Sequence, residues 1–426
     1  MSLFDEYNWE YTDECLLDSY KQAFQRIKKE DKKPSTYVYE DCYFLPLKPV
    51  LNGKIFFKGG ILDSNKNFIE KAKIYPNRIY QGYDFNSQDV IYDEREVVFA
   101  GCFWKHWGHF ILEEISRLWY FLKETNTDLP IVYLSTFPLD KNYLEFFELL
   151  GIDTKRLVFV DKLTQFKKVH IPEVSMVALS YYTEEYTKIY EKIRSSVKKD
   201  ENYPKKVFFS RRNFPRSQDT DFGFMKEIET FFESNGYKFF SPENLSLKEQ
   251  IKILQSCDEY VCVSGTLPHN LLFAGNQVQS IVLNKSYIVN SHQPIIEMAT
   301  GIKSTYIDVH ISVLPQHIGW GPFFFCPSDN LKSWANKKGY VYEESISNKN
   351  FLNYFYRYLY EYIFKMSLIS KQYGQQIIRD DVKSFYINKI KNRFIIKFSL
   401  LLIGILNLKS KKIKTLALVM KYKLGL

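Results

Sequence analysis

Between Val97 and Asn284 short apolar runs alternate with helix-length amphipathic segments, and that alternation leaves few folds open. "VVFAG", "IVYLS" and "RLVFV" read as buried strands, and the spacing predicts helices over "HFILEEISRLWYFLKE" and over "KNYLEFFELLG", which Gly151 ends. A polar, charged stretch near residues 195–205 reads as a linker. A second series follows, with strands "KVFFS", "YKFFS", "YVCVS" and "SIVLN" and helices over "GFMKEIETFFESNG", from Ser246 and from about Pro268. Strands alternating with helices of this length imply parallel α/β layering. The helix from Ser246 opens with Ser-Leu-Lys-Glu, a capping box in which Ser246 and Glu249 each satisfy an orphan backbone N–H. Residues 1–95 carry few such signals.

The length of 426 residues exceeds what one hydrophobic core usually supports, so two α/β domains are expected, residues 1–200 and 201–330, followed by a helical, basic C-terminal region, 331–426. With 45% apolar and 17% aromatic residues, a disordered reading is excluded. The net charge of +9 is local: eleven of the 58 Lys and Arg follow Asp381 with no acid among them, leaving 47 bases against 49 acids in residues 1–381. A nucleic-acid binder needs a basic face on its folded body, and none is indicated here. The tail instead mixes apolar runs with Lys, as an interfacial helix on an anionic membrane does, or as a helix packed back on the first domain. Its longest apolar run, "FSLLLIGIL", is far short of a bilayer span, and the acidic N-terminus has no signal-peptide core. A cytoplasmic protein, peripheral at the inner face of the membrane, is the expectation. The six cysteines are scattered without C-x-x-C or zinc spacing.

Ligands in open α/β sheets bind at the carboxyl ends of strands. "YVCVS" ends there, and Ser264, Gly265, Thr266, His269 and Asn270 follow it with hydroxyls, a close-approach glycine and polar donors suited to an anion. "FFSRRNFPR" places Ser210, Arg211 and Arg212 just past another strand end, where guanidinium groups can clamp a diphosphate. A capped turn and a solvated basic turn are the alternatives. Two anion-suited strand ends in one domain together suggest a nucleotide diphosphate. In "HFILEEISR", His109, Glu113 and Arg117 recur at steps of four on one predicted helix face, either as a surface ion-pair ladder or as an imidazole readied by a carboxylate for general-base work. Asp219 and Asp221 have the Asp-x-Asp spacing by which many sugar transferases hold a metal, yet sit in a polar loop. Walker, G-x-G-x-x-G and G-x-S-x-G patterns are absent.

These motifs, in this order over about residues 97–300, resemble glycosyltransferase family 61. The family's H-x-x-x-E-x-x-x-R is met by His109, Glu113 and Arg117, and its S-R-R strand end by Ser210, Arg211 and Arg212. Its "G-[FY]…L-S-x-x-E-Q-I" is met by Gly236, Tyr237, Leu245, Ser246, Glu249, Gln250 and Ile251. Where many members read H-G-A-G-x-x-N, this chain reads Ser264 to Asn270, keeping Gly265 and Asn270 but replacing the first His by Ser and placing His269 beside the Asn. The resemblance implies a GT-B arrangement, two Rossmann-like domains facing across a cleft, the first on the acceptor side and the second binding a nucleotide-sugar donor. It implies inverting transfer to a glycan or lipid-linked acceptor in bacterial capsule or other surface polysaccharide synthesis. His109 or Glu113 is then the base, no metal or other cofactor is expected, and the remaining matched residues bind substrate. A catalytically inactive nucleotide-sugar or glycan binder is the competing reading.

Overall fold

Two large β-sheets organise the chain. In the computed structural model the described residues are 3–50, 57–73, 79–123, 128–214, 220–311, 321–342, 350–351, 353–355, 357–358 and 361. The basic tail after Asp381, and with it the expectation of a membrane-lying or back-packed helix, falls outside them, as does Asp219.

The first sheet is built from β1 (Thr36–Pro49), β2 (Phe57–Leu62), β3 (Ile79–Gln81), β4 (Ile91–Phe103), β5 (Ile131–Ser135), β6 (Leu157–Phe159) and β7 (Thr164–Pro172), in the order β3-β2-β1-β7-β4-β5-β6. Its β7, β4, β5 and β6 run parallel, while β1 is antiparallel to both β2 and β7. The parallel layering expected from Val97 onward is present, but the sheet as a whole is mixed. Phe44, Ile61, Val97, Phe99, Val132, Leu134, Phe166 and Ile171 pack in its core.

The second sheet contains β8 (Lys206–Phe209), β9 (Lys238–Phe240), β10 (Glu259–Val263), β11 (Gln279–Asn284) and β12 (Thr305–Asp308), in the order β9-β8-β10-β11-β12. β8 pairs in parallel with β9 and β10, and β10 with β11. Val207–Phe209, Tyr260–Val263 and Ile281–Leu283 are buried without interruption, the pattern of parallel strands covered on both faces. Because Phe209 pairs with Cys262, the segments that follow β8 and β10 leave the same edge of the sheet side by side. The helix Leu247–Ser256 carries the expected capping box, Ser246 accepting from the Glu249 N–H and the Glu249 carboxylate from the Ser246 N–H.

By compactness the chain forms two units, the first comprising residues 1–211, 236–283 and 290–306, the second residues 212–235, 284–289 and 307–426. The partition into 1–200, 201–330 and 331–426 follows chain order and stays an expectation. The first unit includes an N-terminal helix, Glu14–Gln25, behind an aromatic segment in which Trp9 stacks on Tyr306 with centroids 5.5 Å apart. Among the described residues no helix is long and apolar enough to cross a membrane.

One helix departs from the pattern read in the sequence. The stretch expected to be a single α-helix from His109 is one α-turn at Trp107–His109, a π-turn at Phe110–Glu114, a turn, and a 3-10 helix at Leu118–Leu122. Carbonyls that an α-helix would use internally are satisfied from outside: the Tyr186 hydroxyl donates to Leu112 at 3.1 Å, the Tyr190 hydroxyl to Ile111, and the Ser175 hydroxyl to Ser116 at 2.6 Å. Tyr186 and Tyr190 lie one turn apart on the helix Glu184–Ser196, so one helix face holds the neighbouring segment in its wider winding.

Candidate active site

The wider winding decides which motif residues meet. Four residues apart across the π-turn, His109 Nδ1 and Glu113 Oε2 are 3.2 Å apart, an ion-pair distance. Arg117 does not continue that face. Its buried guanidinium donates to the carbonyls of Pro172, Lys71 and Lys73, the last two at 2.8 Å. Burial lowers its pKa to about 10, still charged at neutral pH. Three backbone acceptors hold its guanidinium inside the first unit, tying this segment to β7, and a substrate-binding part for Arg117 stays an expectation.

Glu113 is 2% exposed and has a second imidazole beside it. His292 Nε2 stands 3.6 Å from Glu113 Oε1, and the rings of His109 and His292 cross nearly at right angles with centroids 6.1 Å apart. The His106 ring lies 4.5 Å from that of His109. Two imidazoles therefore flank one buried carboxylate, and a third stands against the ring of His109.

The loop after β10 meets this cluster from the other side. The Ser264 N–H donates to Leu283 at 2.9 Å and Gly265 takes φ +136°, a conformation that favours glycine. Thr266 then opens a 3-10 helix, Leu267–Phe273, where the sequence predicts a helix from about Pro268. Seven residues of 3-10 winding do not supply the aligned peptide dipoles of an α-helix, so an anion here would rely on the loop's own donors. Gly108 lies against the loop: a Cβ there would stand 2.9 Å from Thr266 Oγ1 and 3.3 Å from His269 Nδ1, so only glycine allows this approach.

His269 and Asn270 are buried rather than presented at the surface. His269 Nε2 is 3.2 Å from Asn290 Nδ2, which also donates to the Gly265 carbonyl at 2.8 Å. Burial holds the His269 imidazole well below its ordinary pKa, with His292, His109 and His106 adding to the effect. Asn270 Oδ1 is 3.5 Å from Trp107 Nε1. These two residues join the loop to the His109 segment.

Of the remaining expected site residues, Ser210 and Arg211 follow β8 at the same sheet edge as Ser264. Ser210 is buried, and its N–H donates to Phe240. Arg212, in the second unit, is paired with the buried Glu229, Nε lying 2.7 Å from Oε2. Gln250 donates to the carbonyls of Pro242 and Leu245 at 2.9 and 3.2 Å, so its buried amide fixes the turn before its own helix. Asp221 lies in a strand of the second unit and accepts from the Thr220 hydroxyl at 2.8 Å. Among the described residues no group of three or more His, Cys, Asp or Glu is arranged to hold a metal ion.

The sequence reading missed His292, Asn290 and Gly108. No motif spacing links residue 292 to residue 113. The clue within reach was the composition of the segment, a polar run of Asn290, Ser291, His292 and Gln293 that comes shortly after the apolar strand ending at Asn284.

Residues 107–282 match the family model described as Glycosyltransferase 61, a segment containing His109, Glu113, Ser210, Arg211 and the loop after β10. The match supports glycosyl transfer as the class of activity. No curated protein matches the chain. Among solved structures, the dodecameric iron-containing heptosyltransferase TibC in complex with ADP-D-beta-D-heptose is similar at 11% identity, covering 70% of this chain and 82% of that one, with a TM-score of 0.24. At that score the likeness says nothing further about this chain.

Proposed function

We propose that the protein is an inverting glycosyltransferase that moves a sugar from a nucleotide-diphosphate donor to a glycan or lipid-linked acceptor, in the building of a bacterial capsule or related surface polysaccharide. The observation that carries this reading is the His109–Glu113 pair, 3.2 Å apart in a buried setting and joined through Gly108 to the loop after β10. In the proposed step the acceptor hydroxyl oxygen bonds to the anomeric carbon. The bond from that carbon to the diphosphate oxygen breaks, and its electron pair leaves on the diphosphate. The hydroxyl proton passes to His109 Nε2, while Glu113 holds the opposite face of the ring. Arg211 and the Ser264–Thr266 loop, at adjacent strand ends, are the proposed partners of the leaving diphosphate, and their donors take the place of a metal. A GT-B arrangement belongs to the same proposal. So does a cytoplasmic site of action at the inner face of the membrane, reached through the basic tail, with no part for nucleic acid.

A panel of UDP, GDP, CDP and CMP in thermal-shift measurements, with and without EDTA, tests the donor half of this reading. Stabilisation by one nucleotide, unaffected by EDTA and lost in Arg211→Ala, is expected. The second reading, a nucleotide-sugar or glycan binder without turnover, is favoured by Ser264 standing where many family members have histidine. Binding that persists without nucleotide release from any donor would select it.

A further inference from the structure

Glu113 has two oxygens and an imidazole near each. His109 Nδ1 lies 3.2 Å from Oε2, and His292 Nε2 lies 3.6 Å from Oε1. His292 occupies the N-cap of the helix Gln293–Thr300, yet its ring makes no cap hydrogen bond. The backbone there is held by Asn290, whose Oδ1 accepts from the His292 N–H at 3.2 Å. The helix start is thus capped through Asn290, and the His292 ring stands at the Glu113 carboxylate.

We propose that His292 is a positioning residue of the transfer site, which fixes the second oxygen of Glu113 and carries the counter-charge of that carboxylate, so that His109 stays neutral and basic. A buried carboxylate without a counter-charge is costly, and an adjacent imidazolium relieves the cost. Two rings compete for that proton. If it rested on His109, that ring would be spent as a base; on His292 it balances Glu113 and leaves Nε2 of His109 to accept the acceptor's proton. Other titratable groups facing the cluster among the described residues include His106, whose ring is 4.5 Å from that of His109, His269 on the 3-10 helix, and the buried Tyr186, whose hydroxyl burial and Glu113 keep protonated. His269 stays neutral through burial and takes no share of the proton. The catalytic consequence rests on the transferase reading; the proton sharing does not.

The test is therefore made twice on the full chain. Ring titrations of the histidines, followed by NMR in wild type, E113Q, H292N and H292A, need no substrate. In E113Q both His109 and His292 should titrate at lower pH than in wild type. In H292N and H292A, His109 should titrate at higher pH, because Glu113 then draws its proton to the one ring left beside it. In turnover, both His292 variants should lose about tenfold in kcat and have the acid limb of the pH profile moved to higher pH, with nucleotide thermal shifts kept. An unmoved His109 titration in H292N overturns the proposal, and that variant decides the matter if H292A does not fold. Absence of turnover in wild type would remove the transferase reading and leave the ring titrations to judge the cluster.

Discussion

The first unit buries two carboxylates to the same degree, Glu113 and Glu297, each 2% exposed, and surrounds them differently. Glu297 accepts from the Tyr306 hydroxyl at 2.7 Å and lies 3.4 Å from the Gln293 amide, with Tyr7 a further partner. Burial raises its pKa, outweighing the hydroxyl and amide donors, and the pKa of both tyrosines is raised as well. The hydroxyl and amide groups it accepts from do not change protonation near neutrality, and the cluster pins the N-terminal aromatic segment to β12. Glu113 has imidazoles in the corresponding places. Burial alone therefore does not mark a chemical site; what does is a buried carboxylate whose neighbours exchange protons at working pH.

The sharpest way to break that comparison is to neutralise each carboxylate in turn. E113Q should lower turnover by about a thousandfold with nucleotide binding retained, and E297Q should leave turnover nearly unchanged. The effect of E297Q belongs to stability. Because the folded-state pKa of Glu297 is raised, the stability it lends is full below its unfolded pKa and is lost as pH rises through the folded value. Urea denaturation should accordingly find E297Q gaining on wild type as pH rises above the ordinary glutamate range. A gain in the opposite direction would mean that Glu297 is ionised in the fold.

Arg117 extends the comparison to a motif residue whose guanidinium is held by three backbone carbonyls. Arg117→Ala strands the carbonyls of Pro172, Lys71 and Lys73 and should cost about 3 kcal/mol in denaturation, with kcat of the surviving folded protein close to wild type. A variant of normal stability and much reduced kcat would put Arg117 back among the catalytic groups. The smallest effect is expected at the second sheet's best-marked helix. Ser246→Ala removes one half of a capping box and should cost about 1 kcal/mol, with no change in turnover.

The second sheet was the most legible part of the chain, because its strands are unbroken apolar runs and its helices carry caps that local chemistry dictates. The first sheet was legible only from Val97. β1 mixes buried Phe44 and Leu45 with partly exposed Tyr37 and Tyr39 and an exposed Val38 over fourteen residues, and gives no clean alternation. The site divides the same way. His109 and Glu113 were readable from a spacing of four, which the π-turn preserves as a contact. The place of Arg117 was misread, since a step of eight assumes regular winding and the tyrosines that impose the π-turn lie some seventy residues away. His292 carried only the polar composition of its own segment, and nothing local ties it to Glu113, beside which the tertiary fold alone brings it.

The measurement that bears most directly on the account is nucleotide release from a panel of nucleotide-diphosphate sugars, by wild type and E113Q side by side. The account predicts that wild type releases nucleotide from one donor class, while E113Q binds that nucleotide equally well and releases almost none. Equal release by both proteins, or no binding and no release with any donor, would contradict it.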